Sequence, residues 1–111
     1  MGGEEMRFTR KNWDKFFDGS GKITTIRLKS NRVGQHNAWC GPYNMPVKLG
    51  EFIIVKVITT SYEYLSEQDA HLDGFKDLMS LREELCRLNG KIDGNCPMFI
   101  HFCSNVKKEI E

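Results

Sequence analysis

A small α+β domain built on a strongly bent or barrel-like sheet is the fold class this sequence predicts, and three stretches carry the prediction. Glu51 to Tyr62 is a long β-branched run opened by Gly50, the pattern of a strand that pairs on both sides or bends through a sheet. Leu78, Leu81, Leu85 and Leu88 recur at helical spacing, marking one face of a helix from about Lys76 to Asn89 that Asn89-Gly90 stops. Pro97 to Cys103 alternates Met98, Ile100 and Phe102 with Phe99, His101 and Cys103, which reads as a strand buried on both faces. Strands and helices in this order, without a regular strand-helix alternation, point to an α+β domain.

The remaining elements follow along the chain. Met6 and Phe8 alternate with Arg7 and Thr9 as a short strand. Trp13, Phe16 and Phe17 fall at i, i+3 and i+4, so Lys11 to Phe17 reads as an amphipathic helix whose aromatic face packs on the core. Asp18 and the turn Gly19-Ser20-Gly21 end it and lead into a strand from Ile23 to Lys29. Ser30 to Lys48 holds Gly34, Gly41, Pro42 and Pro46 and is longer than most connections, so it is either a functional loop or the cover of a hidden short strand. Ser66-Glu67-Gln68-Asp69 has the pattern of a capped helical turn ending near His71. Asp73-Gly74-Phe75 is a corner, and Val106 to Glu111 is a charged, frayed tail.

The 111 residues make one domain, 1–111, with a core from about residue 16 to residue 103. No stretch approaches the ~20 apolar residues of a membrane helix, and Met1 to Glu5 lacks the apolar core of a signal peptide. The expectation is a cytoplasmic protein with no membrane partner. Its four cysteines, Cys40, Cys86, Cys96 and Cys103, are then reduced thiols in packing roles. A net charge of +1 excludes a polycation that coats nucleic acid. Residues 1–56 nevertheless carry ten Lys/Arg against five Asp/Glu, and residues 57–111 six against ten. That asymmetry fits either a basic patch for an anionic ligand or a scattered, solvated surface.

Chemistry concentrates on Gly21-Lys22-Ile23-Thr24-Thr25-Ile26-Arg27, with Lys29 and Arg32 close behind. Alternation sets Thr25 and Arg27 on one face and Thr24 and Ile26 on the other. Trp39 and Tyr43, in the long connection, either stack on a planar ligand or plug the end of the sheet. His36, Cys40, His101 and Cys103 are zinc-ligand types, but they lack paired Cys-x-x-Cys spacing, so no metal site and no cofactor are expected. His71, beside the corner, is either a proton carrier or a helix-end residue facing water.

The Gly-Lys-x-x-Thr-Ile-Arg run, the Leu49-Gly50-Glu51 entry to the long strand, and Asp73-Gly74-Phe75 before the Leu-rich helix resemble the ASCH domain, a branch of the PUA-like superfamily. The resemblance spans about Phe16 to Cys103. It implies a PUA-like small bent β-barrel with flanking helices and a cleft that accepts RNA or a nucleotide. One enzymatic branch of that family hydrolyses N(4)-acetylcytidine with a lysine, a threonine and a glutamate. The first two correspond to Lys22 and Thr25; the glutamate corresponds to Asp73, whose carboxylate is one methylene shorter.

The residue chemistry is coherent with that implication. A neutral lysine can serve as base for a threonine nucleophile, and burial beside a cation such as Arg27 depresses a lysine toward that state. Asp73 would then be acid/base, and a loop amide or Arg27 the oxyanion donor. Binding alone asks less: Arg27, Lys29 and Arg32 hold phosphates while Trp39 or Tyr43 stacks a base. The expectation is an RNA- or nucleotide-binding protein, the alternatives being an amidohydrolase of acylated cytidine and a protein-interaction adaptor with partners the sequence does not name.

Overall fold

A computed structural model describes residues 4–109. The elements run β1 (Glu4–Arg7), α1 (Arg10–Asp14), β2 (Thr24–Arg27), β3 (Gly34–Cys40), β4 (Val47–Ser61), a 3-10 turn (Tyr62–Tyr64), α2 (Glu67–Leu72), α3 (Leu78–Asn89) and β5 (Pro97–Lys108). The five strands form one mixed sheet in the order β1-β3-β4-β5-β2, in which β1 pairs parallel with β3 and every other ladder is antiparallel. The class is α+β, as expected.

Among the described residues the sheet is strongly bent but not closed, with β1 and β2 as its free edges, so the barrel that the resemblance implies is not completed by backbone pairing. Side chains occupy the seam where backbone pairing would close it: the Arg27 guanidinium on β2 lies 4.5 Å above the ring of Phe8, which follows β1. Long β4 supplies the curl. It pairs with β3 and with β5, and its register with β5 shifts between Glu51 and Ile53 and again between Ile54 and Lys56. Each shift accentuates bend and twist.

Two apolar clusters hold the sheet. Met6, Phe8, Trp13, Ala38, Leu49, Phe52 and Ile54 pack on one side, the aromatic rings of Phe8, Trp13 and Phe52 meeting edge to face or tilted. Ile26, Leu65, Ala70, Leu81, Leu85, Met98 and Ile100 form the other, which seats α2 and α3. Leu81 and Leu85 are the buried residues of the α3 stripe, whereas Leu88 at its end is 47% exposed. The capping box is formed: the Ser66 hydroxyl accepts from the Asp69 N–H and the Asp69 carboxylate from the Ser66 N–H. For α3 the cap is Asp77, so the helix starts two residues later than its periodicity suggests.

Other expectations are adjusted. β1 lies earlier than Met6 to Thr9 because Thr9 is taken as the N-cap of α1, its hydroxyl accepting from the Asn12 N–H. The helix then gives way to turns, with Phe16 N–H bonded to the Trp13 carbonyl and Phe17 N–H to that of Asp14. β2 is shorter than Ile23 to Lys29. The long connection does hide a strand, β3, set between Gly34 at φ 127° and Gly41 at φ 89°. The tail is corrected from frayed to paired through Glu109, since β5 continues to Lys108 and the Glu109 N–H donates to the Leu49 carbonyl. Residues 1–3 and 110–111, which hold part of the Met1 to Glu5 stretch and the end of the tail, lie outside the described residues.

Gly50, read as the opening of β4, is required by close approach. A Cβ there would overlap the Lys107 carbonyl oxygen and come within 2.8 Å of Trp13 Cζ2. Gly50→Ala is therefore expected to destabilise by ~1–3 kcal/mol or more in urea unfolding, because overpacking against backbone has no cheap relief. Thr59→Ala, exposed further along β4, should stay within about 0.5 kcal/mol. Equal midpoints for the two variants would refute the packing at Gly50.

Candidate ligand-binding cleft

The open seam is also the site. Between the two free edges lies a cleft of about 630 Å³, walled by Arg7, Phe8 and Arg10 from the β1–α1 side and by Thr25 and Arg27 from β2. Lys22 and Asp73 stand at its floor, Tyr43 at its rim, and one side of α3 forms the far wall with Leu81, Glu84 and Leu85. Of the residues singled out in the sequence, Lys22, Thr25, Arg27, Tyr43 and Asp73 thus converge.

Lys22 and Asp73 form a buried pair. Each residue is 5% exposed, and Lys22 Nζ lies 2.6 Å from Asp73 Oδ1. The same ammonium donates to the Thr24 carbonyl at 2.6 Å, and the Thr24 hydroxyl donates to Asp73 Oδ1 at 3.4 Å. Asp73 is placed by the end of α2, where its N–H bonds the carbonyls of Asp69 and Ala70. Gly74 follows at φ 85°, and a Cβ there would meet Lys22 Cβ at 3.0 Å and Lys15 Cβ at 3.3 Å. A glycine is what lets the corner close on the lysine. Burial pushes the Lys22 amine below its ordinary value, with Asp73 opposing, and pushes the Asp73 carboxyl above its own, with Lys22 opposing. The two affinities for a proton are drawn together.

Thr25 is not joined to Lys22 by a hydrogen bond; its hydroxyl oxygen accepts from Arg27 Nε at 3.1 Å. Arg27, enclosed by Phe8, is lowered by burial to about 10. Burial raises the nearby Cys103 thiol to about 12, which leaves it protonated and unreactive. At the rim the Tyr43 ring is covered on one side by the Arg7 guanidinium, 4.1 Å from its centroid, while the residue remains 85% exposed.

The other sequence candidates do not line the cleft. Lys29 and Arg32 are exposed on the loop after β2, because that strand ends at Arg27 and the chain turns away. Trp39 is half-buried on β3, and its buried indole N–H has no protein partner. His71 is exposed, with Nε2 3.1 Å from the Lys76 carbonyl oxygen. Among the described residues no group of three or more His, Cys, Asp or Glu could hold a metal ion. Arg7, Arg10, Asn12 and Glu84 join the site without any sequence signal. Asn12 Nδ2 donates to Glu84 Oε2 at 2.9 Å and ties α1 to α3 across the cleft wall. No local pattern distinguishes these four; only the tertiary fold gathers them.

The pair generates a stability prediction. Lys22→Met or Asp73→Leu alone leaves one buried charge without its partner and should cost about 3–5 kcal/mol, whereas the double variant should be near neutral or more stable than the parent. The sign with pH follows from the two directions. From 3.8 up to the raised Asp73 value the native state holds more protons than the unfolded chain, so stability falls as pH rises. From the lowered Lys22 value up to 10.5 it holds fewer, so stability rises. The advantage of the double variant should be greatest at mid-range pH and shrink toward both ends, as urea unfolding over that range would read. A double variant as damaged as either single one would contradict this.

In sequence, no family model matches the chain and no curated protein is significantly similar to it. In structure it superposes on an ASCH domain from Lactobacillus crispatus with a TM-score of 0.60 at 14% identity, covering 96% of this chain and 80% of that one. A protein from Enterococcus faecalis described by the family model DUF984 gives a TM-score of 0.60 at 10% identity, covering 97% of this chain and 82% of that one. The correspondence extends over nearly the whole chain, and the fold of this protein is that of an ASCH domain.

Proposed function

We propose that the cleft binds single-stranded RNA or a nucleotide derivative. The observation that carries the reading is the gathering of Arg7, Arg10 and Arg27 with an exposed, guanidinium-backed Tyr43 around one cleft. Cations with several N–H donors suit phosphates, and an aromatic ring with one open face suits a base whatever its identity. Lys22 and Asp73 close the floor beneath, where polar groups can meet the edge of an inserted base. The ASCH-type fold supports the reading through the RNA-accepting cleft that the sequence resemblance implies.

Fluorescence anisotropy with short single-stranded RNA over a salt series tests it. Arg7→Ala with Arg10→Ala should weaken binding and reduce the salt slope by about one for each phosphate these arginines neutralise. Tyr43→Ala should cost about 1–3 kcal/mol, the usual worth of a base-stacking ring, with the slope little changed. Salt-independent binding that survives the arginine substitutions would remove the phosphate reading.

A second reading, hydrolysis of an N(4)-acylated cytidine, is favoured by the Lys22–Asp73 contact at 2.6 Å in the same cleft as Thr25. With the shared proton on Asp73, the Lys22 amine is neutral and can take the Thr25 proton as the hydroxyl oxygen attacks the acyl carbonyl. Arg27 would face the oxyanion, Lys22 would return the proton to the departing amine, and water would then hydrolyse the acyl-threonine to free Thr25 and the acid. Reaching that geometry requires Lys22 to leave the Thr24 carbonyl for the Thr25 hydroxyl. Purified protein should release cytidine and acetate from N(4)-acetylcytidine, and Thr25→Val should abolish release while binding persists. Undetectable turnover by the parent protein would end this reading and leave the binding one standing.

A further inference from the structure

His101 does not line the cleft, yet it joins the strand that does to the loop behind it. It is fully buried on β5, opposite Thr25 of β2. Its Nδ1 lies 3.0 Å from the Thr25 carbonyl oxygen, and its Nε2 lies 3.0 Å from the backbone nitrogen of Asn31. A carbonyl only accepts and a backbone N–H only donates, so both bonds exist together in one form of the ring. That form is the neutral tautomer with the proton on Nδ1, donating to Thr25 while Nε2 accepts from Asn31.

Asn31 sits between Lys29 and Arg32 on the stretch from Leu28 to Val33, which belongs to no helix or strand. The bond to His101 reaches across 70 positions of sequence to hold it. Lys29 and Arg32 are the two basic residues of the opening motif that the cleft leaves out, and both are exposed.

We propose that His101 is a positioning residue that clamps the Lys29–Arg32 loop to β2, in fixed relation to Thr25, so that both cations meet the anionic backbone of a ligand extending beyond the cleft. The ligand half of this inference rests on the nucleic-acid reading above; the clamp does not. Protonation of the ring would set a new Nε2–H against the Asn31 N–H, donor to donor, and release the loop. Burial holds the imidazole below its ordinary 6.5, the Thr25 carbonyl opposing this and Arg27 and His36 reinforcing it. The titratable groups facing it are Arg27 from β2, His36 from β3 and Cys103 two residues along its own strand, while β4 sets Val57 opposite. A histidine with a depressed value favours the fold above 6.5, and that contribution is lost as pH falls from 6.5 through the lowered value.

Hydrogen exchange at the Asn31 amide, followed by NMR and corrected for intrinsic rates, reads the clamp directly. Protection should hold at neutral pH and drop about ten-fold or more on acidification, before the amides of β5 respond. In His101→Gln the side-chain oxygen reaches about as far as Nε2 and does not titrate in this range, so Asn31 should stay protected at low pH. Affinity for a short oligouridine should fall on acidification in the parent protein, and this fall should be absent from His101→Gln and from the Lys29→Ala, Arg32→Ala double variant. An Asn31 amide indifferent to pH, or a His101→Gln variant with the parent's pH response, overturns the clamp. Oligouridine that binds at no pH, with the Asn31 response intact, overturns the ligand half together with the nucleic-acid reading and leaves the clamp established.

Discussion

The cleft depends on one contact, the ion pair between Lys22 and Asp73. Removing two charges from water costs several kcal/mol for each, and attraction at 2.6 Å returns that only if the remaining donors and acceptors are also used. The ammonium also reaches the Thr24 carbonyl, and Asp73 Oδ1 also accepts from the Thr24 hydroxyl. The pair consequently fixes the start of β2 against the corner between α2 and α3, segments about fifty residues apart in sequence. Ile23 reinforces the junction, its N–H donating to the Leu72 carbonyl. An apolar pair of similar volume would hold the two segments as well. The charged pair in this position is therefore weak evidence for a role in stability.

The unclosed sheet follows the same logic. Pairing β1 with β2 would satisfy two rows of backbone groups and remove two free edges, the usual hazard of a small sheet. It would also fill the space where Thr25 and Arg27 face the cleft. The seam is protected otherwise: Arg27 covers Phe8, and α1 and α3 are joined over one side by Asn12 and Glu84. Glu84 is itself gripped by Arg87 on the next turn, which holds its carboxyl below the ordinary range.

Much of this is legible in the sequence, for identifiable reasons. β4, β5 and α3 are long and periodic, so local pattern and tertiary role agree; the Ser66–Asp69 capping box is a purely local device and reads directly. β3 is less visible because Gly34-Gln35-His36-Asn37 is poor in β-branched residues and is held by pairing with β4. The paired tail escapes a sequence reading because its lysines look like a solvated end, whereas Val106 packs on the core and the backbone completes the β4 ladder. In the site, Lys22, Thr25 and Asp73 come from motifs and do line one cleft. Arg7, Arg10, Asn12 and Glu84 lie in ordinary local sequence. Extending the basic run to Lys29 and Arg32 fails as a description of the cleft because strand parity lapses where β2 ends.

The charge of the ligand bears on which reading of the cleft applies. Protonated, Lys22 directs its N–H groups at the Thr24 carbonyl and at Asp73, with the Asp73 backbone carbonyl at 3.5 Å as a third acceptor. It then has no lone pair to offer Thr25. A phosphate entering past Arg7 and Arg10 brings negative charge, which favours the ammonium and keeps the floor in its binding state. A neutral acylated base does the reverse: it displaces water without supplying charge, and drying a buried pair favours transfer of its proton from Lys22 to Asp73. That transfer creates the amine a hydrolysis would need. The two proposed readings thus call for different protonation states of one contact, and the charge of a ligand would bias the choice between them.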